Sequence, residues 1–254
     1  MTGEKMNVII FGLVVICLFN CTSSQSKKEV NRGDEASETF WVRNVGDRQN
    51  ILMKNDLTAR IFLDSLANIS NLYAIGSVEG LQGEVTIYDG VPLISTVANR
   101  TPKVDTSLNY HAAFLAYASI PNWKQIEIEK PLNGLGEVEK YVEELAFQYE
   151  LSTEEPFAFR IEGKVDSLVY HIIYKTGSLP NNKVEHQKAK RKFSLINENI
   201  QVIGFRADEL GEGVYTHPGK RTHLHFKTPN NTTSGHVDYN IIQQGSILFL
   251  PNRD

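Results

Sequence analysis

From Asn182 to its end, the sequence offers short apolar segments and no apolar stripe long enough for a helix, which limits that half of the chain to β architecture. The segments are Phe193 to Ile196, Ile200 to Arg206, Thr222 to Phe226, His236 to Ile242 and Ser246 to Leu250. Short consecutive strands with polar connections pair with their neighbours, so a small antiparallel sheet or barrel is expected there. The punctuation at Gly177 to Asn182 is the expected boundary, giving an N-terminal α/β domain over 41–178 and a C-terminal β domain over 179–254.

The first half mixes two periods. Asp56 can cap a helix whose apolar positions Leu57, Ile61, Phe62, Leu66 and Ile69 recur at helical spacing. Leu135, Val138, Val142, Leu145 and Tyr149 predict a second helix after the breaker Asn133-Gly134. Between them the period is two. Val85 and Ile87, then Pro92 to Ile94, flank the turn Tyr88 to Val91. His111 to Ile120 reads as a buried strand and Gln125 to Glu129 alternates. Phe157 to Gly163 and Val165 to Tyr174 read as two strands divided by a glycine turn. The fold class is therefore α/β of the α+β type.

The N-terminus carries an export signal. Lys5 precedes an apolar run from Val8 to Phe19, too short to span a membrane comfortably and suited to a secretory segment. Cys21 follows, and the pattern resembles a bacterial lipoprotein signal. Residues 1–20 would be removed and Cys21 would carry lipid; the plainer alternative is an ordinary signal peptide cut nearby. Residues 22–40 have almost nothing apolar and read as a flexible tether. The expected location is thus the bacterial cell envelope, outside the cytoplasm, held to the membrane by the lipid alone. Cys17 and Cys21 are the only cysteines in the chain, so a metal site in the body must use histidine and carboxylate. The net charge of −4 offers no basic stripe for nucleic acid, and Lys188 to Lys192 reads as a solvated turn or edge strand.

Thr222-His223-Leu224-His225-Phe226 is the segment richest in chemistry. On a strand, His223 and His225 share a face about 6–7 Å apart, while Leu224 and Phe226 face a core. His236 stands eleven residues beyond His225, across a polar loop, and a hairpin return brings it beside the pair. Three neutral imidazoles can hold a metal and leave positions open; a His-x-His strand also occurs as plain surface. His217 is read as a loop residue, with a fourth ligand as the alternative, and His111, His171 and His186 as packing or surface residues.

The His-Leu-His-Phe segment followed by Ser234-Gly235-His236-Val237 resembles the metal-binding segment of bacterial acetolactate decarboxylases. Three further segments fit the same family in order: Gly83 to Gly90, Pro156 to Gly163, and Ile203 to Arg206 with Gly219 beyond it. The resemblance implies a mixed sheet with helices in the first half, an antiparallel barrel-like second half, and a homodimer. It implies one Zn2+ per chain on His223, His225 and His236, with Glu84 and Arg160 as catalytic residues. It also implies a small hydroxy-keto acid substrate, 2-acetolactate, decarboxylated to acetoin. From the residues alone, Glu84 reads equally as a turn-capping carboxylate and Arg160 as a structural ion pair. The family usually continues past the His236 hairpin with a segment bearing another active-site glutamate. No Glu follows His236 here, so either Asp254 or the chain terminus substitutes, or turnover is expected to be weak. A metal-retaining binding protein and a different metal-dependent lyase or isomerase are the competing readings.

Overall fold

In the first sheet, two tight turns decide the topology. Asp89 and Gly90, at φ 50° and 75°, join one hairpin, and Asn99 and Arg100, at φ 52° and 66°, join the next. Two-residue turns with both residues at positive φ match the twist of antiparallel strands. The computed structural model describes residues 39–217 and 219–252. The expected export segment 1–20, Cys21, most of the tether and Asp254 lie outside the described residues. Among those described, no helix is long and apolar enough to cross a membrane.

The first sheet holds β1 (Trp41–Val45), β2 (Ile61–Phe62), β3 (Leu72–Val78), β4 (Glu84–Tyr88), β5 (Val91–Ala98), β6 (Thr101–Asp105) and β7 (His111–Ser119). Its order is β1-β7-β3-β4-β5-β6, with β2 also on β7. Every pairing is antiparallel, which corrects the expected mixed sheet. The helix expected after Asp56 is absent as well. The Asp56 carboxylate accepts a bond from the Thr58 hydroxyl at 2.7 Å, and the chain runs through β2 into a single 3-10 turn at Leu63–Leu66. Leu63 and Leu66 then seal one face of the sheet against Leu72, Val85, Ile87, Ile94 and Leu115. The helix lies earlier. Helix α1 (Arg48–Lys54) starts where the Asp47 carboxylate accepts the Gln49 amide at 2.6 Å.

The second sheet holds β8 (Trp123–Glu127), β9 (Leu132–Asn133), β10 (Phe157–Ile173), β11 (Lys190–Arg206), β12 (Thr222–Lys227), β13 (Ser234–Ile242) and β14 (Ile247–Pro251), in the order β8-β14-β10-β11-β12-β13-β9. All its pairings are antiparallel. β10 and β11 are single strands of 17 residues, where two pairs of shorter strands were expected. β10 borders β11 on one edge; on the other it pairs β14 over Arg160–Glu162 and β13 over Val165–His171. The chain thus changes sheets between Ser119 and Trp123, ahead of the division at 178/179 read from the sequence, and the described residues fall in one compact unit. Helix α3 (Lys183–Ala189), capped by the Asn182 side chain, was not expected either.

Helix α2 (Leu135–Gln148) forms where its stripe predicts. It buries Val138, Val142 and Ala146 on one face of the second sheet, against Phe157, Phe159, Leu224 and Phe226. Each valine buried there contributes about 1.5–2 kcal/mol. The opposite face of that sheet meets the first sheet: Tyr73, Ile75, Phe114 and Ala116 pack on Ala158, Ile173, Ile203 and Phe205. The functional side chains lie in this seam.

Candidate metal centre

Strand β12 sends Leu224 and Phe226 into the core beneath α2, so His223 and His225 must face the first sheet. The His223 ring stacks on Phe114 of β7 at 6.2 Å, and His225 Nδ1 lies 3.0 Å from Thr86 Oγ1 of β4. Strand register then extends the row. His225 pairs with His236 across β12 and β13, and His236 with His171 across β13 and β10. Three imidazoles therefore cross three adjacent strands, with His223 two residues along β12. Ring centroids lie 4.4 Å apart for His171–His236, 4.7 Å for His223–His236, 5.0 Å for His223–His225 and 5.4 Å for His225–His236.

Glu84 enters from the first sheet. It opens β4 directly after Gly83, whose φ is 155° and where a Cβ would come within 2.5 Å of the Ser95 carbonyl oxygen. Its Oε1 accepts the Ile173 amide at 3.0 Å and lies 3.6 Å from His171 Nε2; its Oε2 lies 3.8 Å from His225 Nε2. Burial pushes the carboxyl up to about 8, against the opposing pull of the Ile173 amide and Arg48. Glu84 is therefore largely a neutral acid at pH 7. Burial likewise holds His223, His225 and His236 well below the ordinary imidazole value, and the other imidazoles around them add to it. They are neutral, the form that binds a metal.

The ring nitrogens show how a metal would fit. His223 Nδ1 donates to the Tyr215 carbonyl at 2.9 Å, which leaves its lone pair on Nε2. Thr86 occupies His225 Nδ1, and His225 Nε2 has no hydrogen-bond partner. Neither nitrogen of His236 has one. Buried nitrogens of this kind are costly unless something meets them, and an outer nitrogen tied to an oxygen with the inner one open is the usual state of a metal-ligating histidine. One more donor set is close-packed: His171, His236 and Asp238 place three ligand atoms within 4.8 Å of one another, near enough to hold an ion. Asp238 arrives there through a register shift of β13 against β10, which leaves it without an opposite residue. Within that set, however, His171 Nδ1 already bonds Asp238 at 2.9 Å.

Two groups complete the site. From α1, Arg48 Nη1 lies 2.8 Å from His223 Nε2, and Arg48 Nη2 lies 2.8 Å from His217 Nε2. His217 belongs to the loop before β12, as expected, yet its ring comes within 5.8 Å of His236. Its basicity is depressed to about 2, first by the Arg48 charge and then by burial. Arg48, Ser77, Glu84, Phe114, His171, His186, His223 and His236 all line one small cavity.

The structure thus brings His223, His225, His236 and Glu84 together. Arg160 is elsewhere. Its guanidinium lies over Phe249 at 4.2 Å and Trp123 at 4.8 Å, donates to Tyr73 Oη at 3.1 Å, and pairs with Glu162 at 3.5 Å. It is not among the residues lining the cavity. The arginine that lines the cavity is Arg48, which the sequence did not single out, and the buried His171 and His186 line it too. The only sequence signal for Arg48 was the capping aspartate before it.

Fold and site together define a two-sheet α+β protein with a buried cluster of histidines and carboxylates, a possible metal site, in its seam. The alpha-acetolactate decarboxylase family model matches residues 50–250, and the chain belongs to that family. The fold is similar to alpha-acetolactate decarboxylase from Bacillus subtilis strain 168, with a TM-score of 0.68, 16% identity, and coverage of 83% of this chain and 85% of that one. The enzyme from Bacillus subtilis subspecies spizizenii gives 0.68 at 17% identity, covering 83% and 86%. A Staphylococcus aureus protein of unknown function similar to alpha-acetolactate decarboxylase gives 0.68 at 14% identity, covering 83% and 85%. A search of curated proteins returned no significant match.

Proposed function

We propose that this chain is a metal-dependent decarboxylase that converts 2-acetolactate to acetoin and carbon dioxide in the seam between its sheets. The observation that carries the reading is the set of inward imidazole nitrogens without partners, at His225 and His236, beside the buried Glu84 in a member of this family. His223 Nε2, His225 Nε2 and one nitrogen of His236 would hold the ion. The all-nitrogen set suits zinc, and three protein ligands leave a position for substrate. His171 stays outside the set, because its two nitrogens face Asp238 and Glu84. When bound, the ion supplies Lewis-acid stabilisation of the negative charge that builds on the substrate's ketone oxygen as carbon dioxide departs.

The protein's own groups supply the rest. Glu84 Oε1 is taken by the Ile173 amide, so the proton resides on Oε2, facing the cluster. From there it passes to the substrate carbon that has lost its carboxylate. His171, whose Nδ1 donates to Asp238, turns Nε2 towards Glu84 Oε1 and orients that carboxyl, and solvent restores the proton that Glu84 gives up. Phe114 and Ile173 exclude bulk water, which strengthens each of these interactions.

The test is turnover of racemic 2-acetolactate by the metal-loaded chain, with acetoin measured. Wild type should form acetoin. Alanine at His223, His225 or His236 should abolish both bound metal and product. Metal-loaded wild type that forms no acetoin would refute the reading.

A further inference from the structure

The cavity holds an unusual cation. Arg48 is half-buried overall, yet its guanidinium reaches the histidine cluster and is dry enough to be lowered from its usual value to about 10. A buried guanidinium is normally matched by a carboxylate. Among the described residues none stands in ion-pair contact with it; its nearest acceptors are the ring nitrogens of His223 and His217, two neutral imidazoles. Glu84 acts on it only at longer range. One face of the guanidinium is thus spent on His223 Nε2, a nitrogen that a metal ion would claim.

Two positive centres cannot share that nitrogen. Two like charges this close repel strongly in a cavity that excludes water. A metal on that nitrogen would displace Arg48 from His223 and leave its guanidinium facing the cavity it lines. That space is small, about 30 Å³, enough for one or two waters. Arg48 is the cationic side chain on its lining. A divalent ion and a guanidinium side by side would make this wall of the cavity cationic.

We propose that Arg48 is the group that binds the carboxylate of the substrate, holding it in a bidentate fork while the neighbouring hydroxyl and ketone oxygens face the histidine cluster. The assignment rests on the proposed function and adds a specificity residue to it. The residue comes from α1, just ahead of the stretch that matches the family model. It makes the site select hydroxy acids over neutral ketols and diols, and it releases the product once the carboxylate has gone. Charge-assisted forks of this kind contribute enough to separate an acid from its neutral analogue by about 30-fold.

The test is equilibrium binding to the metal-loaded full chain, using two ligands that cannot react. One is 2,3-dihydroxy-2-methylbutanoate; the other is the neutral diol 2-methylbutane-2,3-diol. Arg48→Gln should weaken the acid about 30-fold and leave the diol within about three-fold of wild type. Arg48→Lys should recover part of the loss for the acid. Arg48→Gln should also hold its metal at least as tightly as wild type, because a repelling charge is gone. Equal acid affinity in wild type and Arg48→Gln would overturn the assignment, as would a parallel loss of both ligands. If wild type keeps no metal and binds neither compound, the proposed function itself fails and takes this assignment with it.

Discussion

Glu84 owes its proton to burial, and this gives the site a pH signature. Its folded-state value of about 8 lies above the ordinary carboxyl value of 4.5. For a carboxyl shifted up, the folded state holds the extra proton between those values. The associated stability is complete below the ordinary value and is lost as pH rises through the folded one. Activity that needs the acid form should fall on the alkaline side, with the limb moved to lower pH by a bound cation beside the carboxyl. Glu84→Gln should cost about 10²–10⁴-fold in rate while keeping metal. In metal-free protein its stability in denaturant relative to wild type should grow as pH rises from about 4.5 to about 8, by at most about 1.4 kcal/mol per unit, and level off above that. A variant with unchanged rate, or with the alkaline limb intact, would remove Glu84 from the chemistry. At this scale the sequence was partly legible. His223, His225 and His236 could be found because two-residue periodicity and one hairpin suffice to gather them. His171 could not, since it joins them only through the pairing of β10 with β13. Arg160 could be found by its motif, while its cage of Tyr73, Tyr88, Trp123 and Phe249 could not.

Among the elements, β4 has the strictest demand, because one residue aims Glu84. Gly83 sits at φ 155° with no room for a Cβ beneath the Ser95 carbonyl. Gly83→Ala should destabilise the fold by about 1–3 kcal/mol through strain and should displace Glu84, so the loss of rate should exceed the loss of folded protein. Thermal melting together with rate per folded molecule checks this; a variant that melts and turns over like wild type would contradict it. The hairpin β4–β5 and helix α2 were readable, since a turn dipeptide and a five-residue stripe each declare themselves locally. The long strands were not. Gly163 looks like a turn, but it is glycine because the Ser246 side chain occupies the place of its Cβ, at 2.1 Å, and β10 runs straight past. Asn197, at φ 61°, similarly interrupts the apolar pattern of β11 without ending the strand. Helices α1 and α3 have seven residues each and bury only Ile51, and His186 with Ala189, so neither carries a stripe to detect.

For the whole molecule, the decisive fact is that the candidate ligands hang from one sheet while Glu84, Thr86 and Phe114 come from the other. A metal held on the histidine row would anchor one wall of a seam whose other wall is β4 and β7. The fold class could be read from the sequence because composition and period set it. The seam could not, since Arg48 and His217 meet across 169 residues of chain and nothing local marks either as a neighbour of the other. Because the ligand nitrogens are already gathered and neutral in the folded chain, metal should bind the native state far better than the unfolded one. Ligand that binds only the native state stabilises it by about 2.7 kcal/mol at a hundred-fold excess over its dissociation constant. For a domain of this size, that corresponds to a rise in Tm of about 5–10 °C. Chelation should therefore lower the Tm by about that amount, and added zinc should restore it. His225→Ala should melt at the same temperature with or without zinc. Its lost Thr86 contact should lower that temperature in both conditions equally, so the zinc-dependent difference isolates the ion. A Tm that ignores chelator in protein shown to have carried metal would mean that the ion sits away from the seam.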